Sequence, residues 1–371
     1  MTHCGRTPVA GEENMPRLVH DPEQVSAEWL TEVLAAAGQL EGAAVTGFDS
    51  EFIGTGQVGC NVRYRLTYDR PDAGPATVVA KFSSRDPVSQ ATGIQTLTYD
   101  TEVAFYRDVA DTVDISRPRC FFADITPGTA EVVLVLEDLA PAVQGDQIDG
   151  CTPEQAELAV VEAARLHGPR WDDPSLWDVE WLASKSSSDG GAVGFFAMLW
   201  EGFVDRYRDT LSDEAVEMGH RLRTGFAAWV EGATGPTAVC HADYRLDNML
   251  FGPPGHHRPL TVVDWQTVRL SVGTSDVSYF LGAAMPPEDR RRLEHGLVER
   301  YHETLLGYGV SGYPWEQCWE DYRRYSWNGF IMAVIASMLV GRTDRGDAMF
   351  MAMANRHAAQ AADLGATEFL G

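Results

Sequence analysis

Between residues 43 and 137 apolar and polar side chains alternate in short runs, whereas beyond residue 150 the apolar positions recur every three or four residues. The first pattern is that of strands with one buried face, the second that of helices with a buried stripe. "NVRYRLTY" (61–68) puts Val62, Tyr64, Leu66 and Tyr68 on one face. "PDAG" reads as a turn, and "ATVVAKF" as the next strand, with Val78, Ala80 and Phe82 pointing one way and Val79 and Lys81 the other. "CFFADI" and "EVVLVLEDL" add two more strands. Ahead of them, "DPEQVSAEWLTEVLAAAG" predicts one helix with Asp21 as N-cap, Pro22 in its first position and Gly38 just past its end. A second helix is expected over about 94–110, with Tyr99, Val103, Tyr106 and Ala110 on its stripe.

The later part predicts helices at 153–167, 192–209, 213–230, 287–307, 315–339 and 345–363, with a β-like interruption at 238–264 and a flexible loop, "SKSSSDGGA", at 184–192. Strands first and helices afterwards give an α+β, two-lobed chain. It divides into a flexible tail (1–20), a sheet lobe with one main helix (21–137) and a larger, mainly helical lobe (138–371), hinged near 137–142.

Composition narrows the classes. With 44% hydrophobic residues, 371 residues can bury a sizeable core. A net charge of −25 disfavours nucleic acid and anionic membranes. The six cysteines show no CxxC pairing and read as free thiols of a reducing compartment. No apolar run reaches the ~18 residues of a membrane span, and the first residues lack the apolar core of a signal peptide. A cytoplasmic protein is expected.

Of 29 basic residues only Lys81 and Lys185 are lysines. A lysine inside a strand is ordinarily a sheet-edge residue with its ammonium in water. Here it follows Gly54, Gly56 and Gly59, spaced GxGxxG between two strands. Such a hairpin is either an ordinary turn or a flap whose backbone approaches phosphates. It is no dinucleotide fingerprint, because a strand rather than a helix follows. Under a flap, Lys81 would meet phosphate and need a carboxylate partner, for which Glu102 on the following helix is a candidate; otherwise Glu102 is a solvated helix residue.

The richest segment is "CHADYRLDNMLFG" (240–252), followed by "LTVVDWQ". Two short strands around the turn "GPPGHHRP" would present Asp243, Asn248 and Asp264 at neighbouring ends. Oxygen ligands such as Asn248 and Asp264 suit Mg²⁺, and a separate Asp243 can orient and deprotonate a hydroxyl. His256 and His257 lack the partners of a zinc site. His241 reads as a hydrogen-bonding residue rather than a base, and Asp247 as an exposed loop acid.

Gly54/Gly56/Gly59, Lys81, Glu102, "HADYRLDN" and "DWQ" resemble, in order and spacing, the protein-kinase-like fold. The HxDxxxxN form and the tryptophan after Asp264 resemble its aminoglycoside phosphotransferase/choline kinase-like branch. "VLEDL", "GDQ", "HADYRLDNMLF" and "VVDWQ" are most similar to the ecdysteroid-kinase-like (CHK-like) small-molecule kinases, over about residues 40–365. The resemblance implies ATP and Mg²⁺ as cofactors. Lys81, paired with Glu102, would hold the α/β-phosphates, and backbone groups of Glu137 and Leu139 would meet adenine. Asp243 would be the base, Asn248 and Asp264 the metal ligands, and Arg245 would face the transferred phosphoryl group. Asp276 would brace the catalytic loop or simply cap the helix "DVSYFLG". Asn61 stands where a valine is expected, and no activation loop or APE segment is present, so no protein substrate is expected.

The expected activity is phosphorylation of a hydroxyl on a small molecule. Nine of ten tryptophans lie after residue 170. Aromatic walls suit a largely apolar acceptor, whereas the acidic surface would suit an aminoglycoside. A catalytically inactive nucleotide-binding module is the third possibility. Asp146 and Trp327-Asn328 are the candidate acceptor contacts, or else a loop acid and a packed aromatic.

Overall fold

The computed structural model describes residues 15–54, 59–186, 192–232 and 234–371, with side chains 192 and 193 excepted. The chain divides into two compact units, one formed by the residues up to Arg107 with Pro118–Leu139, the other by Asp108–Arg117 with Ala140–Gly371. No helix among the described residues is long and apolar enough to cross a membrane.

The first unit is built on a five-stranded antiparallel sheet, β1 (Val45–Ile53), β2 (Gly59–Tyr68), β3 (Thr77–Ser83), β4 (Cys120–Ile125) and β5 (Val132–Glu137), in the order β1-β2-β3-β5-β4. Alternation in β3 sorts its residues as the sequence requires. Val78, Ala80 and Phe82 face α1 (Ala27–Ala36), where Trp29, Leu30, Val33 and Leu34 close a core that also holds Val62, Tyr64, Val133 and Val135. On the opposite face Leu134 packs with Tyr99 and Val103 of α3 (Thr98–Ala104).

Three expectations change here. Val19 is buried in the α1 core and the Trp29 indole donates to Arg17 O at 2.9 Å, so the residues just before 20 are fastened to the unit rather than a free tail. The helix expected from Asp21 breaks at Val25, whose backbone is extended; Asp21 caps only a 3-10 turn, and Ser26 caps α1 by accepting from Trp29 N. The helix expected over 94–110 is two helices, α2 (Pro87–Gln95) and α3, parted at Leu97 in a left-handed conformation (φ 54°), with a π-helical turn at Phe105–Val109. Asp86 followed by Pro87 is a clear N-cap signal for α2, and its capping oxygen accepts from Ser89 N.

The second unit is mainly helical: α4 (Pro153–His167), α5 (Glu180–Ser186), α6 (Ala192–Tyr207), α7 (Asp213–Glu231), α8 (Thr274–Ala283), α9 (Pro287–Gly307), α10 (Trp315–Arg324), α11 (Trp327–Leu339) and α12 (Asp344–Asp363). Two small sheets interrupt it, one pairing β7 (Thr237–Cys240) with β10 (Arg269–Val272), the other ordering β6 (Val143–Gln144), β8 (Met249–Phe251) and β9 (Leu260–Val262). The expected helix 315–339 is α10 and α11, separated by Tyr325 and Ser326. Ser184–Ser186 are helical, so the expected loop does not begin at 184, and Lys185 donates to Gln266 O at 3.3 Å. Residues 187–191 of that loop lie outside the described residues.

The helical core is aromatic. Trp200 is fully buried among Phe196, Phe203 and Phe330, and α7 passes it at Gly219, where a Cβ would stand 1.9 Å from the indole. Gly296 in α9 faces open space. Gly219→Ala should therefore cost about 2–3 kcal/mol through overpacking, while Gly296→Ala should add up to ~1 kcal/mol through helix propensity. Urea denaturation of the two variants checks both signs.

Candidate active site

In the first unit, β3 is paired on both sides: Lys81 lies opposite Asn61 on β2 and Leu134 on β5. The sheet-edge explanation for this lysine is therefore excluded. Its side chain, 11% exposed, reaches Glu102 with Nζ 2.8 Å from Oε1 and 2.7 Å from Oε2. Glu102, on α3, is buried rather than solvated.

Gly59 serves this pair. A Cβ there would lie 3.1 Å from Lys81 Cε, so glycine makes room for the lysine stem across the strand. Gly54 ends β1 in the left-handed region (φ 76°), where a side chain is strained. Gly56 lies outside the described residues. The Glu137 N–H is donated to Arg119 O (2.8 Å), so of its backbone groups only the carbonyl stays a candidate for adenine, beside the Leu139 backbone.

In the second unit, β7 leads into the segment His241–Asn248, and β8 and β9 form the expected hairpin with Met249 opposite Val262. The Val263 N–H donates to Asn248 O (2.9 Å), tying the segment to the strand that ends at Asp264. His241 joins the same two pieces: its Nδ1 accepts from Asp243 N (3.3 Å) and its Nε2 donates to Val263 O (3.0 Å). Both ring nitrogens are engaged in holding backbone, so His241 is a structural residue. Asp264 adopts φ 69° and Ala242 φ 63°, conformations uncommon for residues with a Cβ.

Asp276 imposes this loop. Fully buried on α8, it accepts from His241 N (2.7 Å, Oδ2), Ala242 N (2.9 Å, Oδ1) and the His167 ring (Nε2, 3.3 Å). Burial alone would raise its pKa, but His167, His241 and the backbone donor hold it below the usual value. Of the two roles open to it from sequence, bracing is the one realised; the residue before α8 is Gly273, and α8 has no side-chain cap. His167, Cys240 and Asp276 are close enough to hold a metal ion, yet Asp276 spends both oxygens on backbone donors.

The Asp243 carboxylate is surrounded by donors. Arg245 Nε lies 3.0 and 3.2 Å from its two oxygens, Asn248 Nδ2 2.9 Å from Oδ2, and the Tyr279 hydroxyl 2.9 Å from Oδ1. Asn248 Nδ2 also donates to Asp243 O (2.8 Å), which commits the amide nitrogen, so the amide oxygen is the atom that a metal ion would meet. Arg245 extends to Asp247 Oδ2 (2.6 Å) and so is tied to two carboxylates.

Asp247 is buried, not an exposed loop acid. It accepts from Arg245, from Gln147 N (3.1 Å) and from Arg345 (3.1 Å). Gln147 is the reason "GDQ" sits beside the catalytic loop. Its amide oxygen accepts from Leu246 N (2.9 Å) and its amide nitrogen donates to Ala283 O (3.0 Å). Gly145 permits that approach, since a Cβ there would stand 2.7 Å from Leu246 O.

The acceptor candidates separate. Asp146 caps its own turn by accepting from Ile148 N (2.7 Å) and is paired with Arg345 (3.1 Å). Trp327 is fully buried with its indole donating to Ala366 O (3.1 Å), so it is a packed core residue and not a pocket wall. Its neighbour Asn328 is half-buried on the same helix. Sequence reasoning missed Tyr279 and Arg345, which reach the loop from α8 and α12, and Arg356 and His357, which stand behind it on α12, because no local spacing marks any of them. A surface cavity of about 620 Å³ lined by Trp171, Asp172, Tyr308 and Tyr313 contains none of the candidate residues.

Together the sheet unit and the helical unit have the protein-kinase-like fold of small-molecule kinases. It is shared with a choline kinase from Cryptosporidium parvum (TM-score 0.52, 9% identity, 91% of this chain and 96% of that one). A microcompartment-associated aminopropanol kinase has it too (TM-score 0.50, 12% identity, 92% and 99%), as does a Plasmodium vivax ethanolamine kinase (TM-score 0.50, 10% identity, 82% and 81%). More narrowly, residues 200–308, which carry the His241–Asn248 loop, the hairpin and α8, match the ecdysteroid kinase-like family. No curated protein matches the chain.

Behind Tyr279, His357 is wholly buried. Burial, with the charges of Arg290 and Arg356 adding to it, pushes its pKa down to about 3 despite a hydrogen bond to Gln360. The neutral imidazole is thus favoured by the fold. Its contribution to stability is complete above the unfolded value near 6.5 and is lost as pH falls toward 3. Unfolding free energy should fall by up to ~1.4 kcal/mol per pH unit across that window on this account, and the slope should be shallower in His357→Gln. Urea titrations at a series of pH values decide it.

Proposed function

We propose that the chain is an ATP- and Mg²⁺-dependent kinase that phosphorylates a hydroxyl group on a small, largely apolar molecule in the cytoplasm. The observation that carries this reading is the Lys81–Glu102 pair. A buried ion pair recovers little or nothing in stability over apolar residues of the same size, so an ammonium on a central strand calls for a chemical reason. Phosphate oxygens supply one.

Phosphoryl transfer proceeds through a loose transition state and asks of the protein mainly positioning and charge neutralisation. Lys81, oriented by Glu102, binds phosphate oxygens, and the Leu139 backbone meets the base. Asn248 through its amide oxygen and Asp264 through its carboxylate form an all-oxygen donor set of the kind Mg²⁺ prefers. The ion, when bound, neutralises charge on the phosphates. Asp243 receives the hydroxyl, orients it and takes its proton. Arg245 swings from Asp243 toward the transferred group.

The acceptor is read from charge. Asp146 and Asp247 are both occupied by Arg345, and Asp247 also by Arg245. Arg356 adds a further cation, bound by the carbonyls of Gln147, Ala283 and Ile148 and, among the described residues, by no carboxylate. In a chain of net charge −25 this neighbourhood is close to neutral. A polycation such as an aminoglycoside needs unpaired carboxylates, so this disfavours the antibiotic-kinase reading. An intact set of Lys81, Asp243, Asn248 and Asp264 disfavours an inactive module.

An ATP-consumption screen over hydroxylated small molecules tests the activity. Turnover of uncharged alcohols with little salt dependence is expected, and rapid turnover confined to aminoglycosides overturns the acceptor class. In that assay Asp243→Asn should lower kcat by ~10²–10⁴, while Asp264→Ala should weaken Mg²⁺-ATP binding. Replacing the ion pair whole, by Lys81→Met/Glu102→Leu, should leave stability within about 1 kcal/mol yet cost ~10²-fold or more in turnover. Full activity in that double variant removes Lys81 from the mechanism.

A further inference from the structure

Tyr279 lies on α8, 36 residues after the catalytic aspartate, and its hydroxyl donates to Asp243 Oδ1 at 2.9 Å. Burial, and then the charge of Asp243, keep its phenol far above the ordinary tyrosine range, so it remains a donor at every working pH. Its ring stacks on His357, with centroids 5.7 Å apart and planes 6° from parallel.

His357 cannot move aside. A Cβ on Gly282 would stand 2.2 Å from its Nδ1, and one on Gly329 1.9 Å from its Nε2, so α8 and α11 grip the imidazole through two glycines. Its Nδ1 donates to Gln360 Oε1 (3.2 Å), and Gln360 Nε2 donates to the Tyr322 hydroxyl (2.9 Å) and to Ser278 O (3.2 Å). The Tyr322 hydroxyl donates in turn to Glu294 Oε2 (3.0 Å), which is paired with buried Arg290. The wall behind Tyr279 is a buried polar network joining four helices.

The carboxylate it holds is over-subscribed. Arg245, Asn248 and Tyr279 together occupy both oxygens of Asp243, so a substrate hydroxyl enters only when one donor yields. Asn248 is pinned by its second bond to Asp243 O, and Tyr279 by the wall. Arg245 keeps Asp247 as an alternative partner, and its Nε is shared between two oxygens rather than committed to one.

We propose that Tyr279 is the positioning residue of Asp243: when Arg245 turns away, Tyr279 and Asn248 hold the carboxylate in the rotamer that receives the acceptor hydroxyl. Tyr279 acts through Asp243 and not on the substrate. The proposal rests on the kinase reading, and two measurements keep the two separable.

The first is kinetic, with the acceptor identified by the screen. Tyr279→Phe, which removes only the hydroxyl, should lower kcat by about tenfold, the scale of one hydrogen bond to a charged group, with KM for ATP and for the acceptor within twofold. In an Asp243→Asn background it should cause no further loss, because the two groups act as a unit. Unchanged kcat in Tyr279→Phe, or a fall matched by a rise in KM, overturns the proposal. The second needs no turnover. In a thermodynamic cycle over Tyr279→Phe and Asp243→Asn, read as urea midpoints, the two single losses should exceed the loss in the double variant. Additive losses overturn the proposal. A wild-type protein that turns over no ATP while the cycle shows coupling defeats the kinase reading and leaves the contact itself established.

Discussion

The His241–Asn248 loop depends on one buried carboxylate. Ala242 takes a left-handed backbone conformation without being glycine, a strain of order 1–2 kcal/mol. Asp276 offsets it by gathering the two successive N–H groups of His241 and Ala242 on its two oxygens. His167, itself engaged by the Tyr301 hydroxyl (2.9 Å), keeps that carboxylate oriented and charged. From this anchor the rest follows. His241 faces Val263, Asp243 faces Arg245 and Tyr279, and Asn248 is brought over Asp243 with its amide oxygen turned away. Without Asp276 two buried N–H groups lose their acceptor, and the loop relaxes out of the geometry that assembles these residues.

The strands of the first unit were legible because period-two alternation fixes both the faces and the register. Val78, Ala80 and Phe82 point to α1, and Lys81 to the opposite face, as the pattern alone required. The β8–β9 hairpin was legible from its turn residues. The helix breaks were not. Leu97, Tyr325 and Ser326 carry no Gly or Pro signal, and tertiary packing decides where those helices stop. The candidate site shows the same division. Lys81, Asp243, Asn248 and Asp264 lie in short motifs whose spacing exposes them, whereas Tyr279 and Arg345 reach the loop from α8 and α12, and His357 of α12 only backs Tyr279. Asp247 looked like a surface acid because its partners, Gln147 and Arg345, come from about 100 residues away on either side.

The overall charge of −25 and the near-neutral surroundings of Asp243 are separate features. The surface acids are solvated and cheap. A carboxylate beside Asp243 is not, because in a partly dry setting the two would repel one another. Arg245 and Arg345 cancel Asp247 and Asp146 and so leave Asp243 as the charge that matters. The pairs form one alternating chain, Asp243–Arg245–Asp247–Arg345–Asp146, and on the proposed reading the same cancellation would deny a polycationic acceptor its counter-ions.

The scarcity of lysine also has a physical reading at this point. Arginine serves nearly every cationic role in the chain, in forks such as Arg63 on Asp138 (2.7 and 3.0 Å) and Arg107 on Ala123 O and Asp124. A planar fork is the better partner wherever there is room for two parallel bonds. Between β2 and α3 there is little room. Gly59 has already given up its side chain to admit the lysine stem, and Glu102 closes the far end at 2.7 Å. A guanidinium, broader and with its donors fixed in a plane, would have to displace one of those neighbours. A compact ammonium with three rotatable donors can keep both carboxylate oxygens and, on the proposed reading, still turn a hydrogen toward phosphate. Lysine stands at residue 81 because the slot accepts a point charge and excludes a fork.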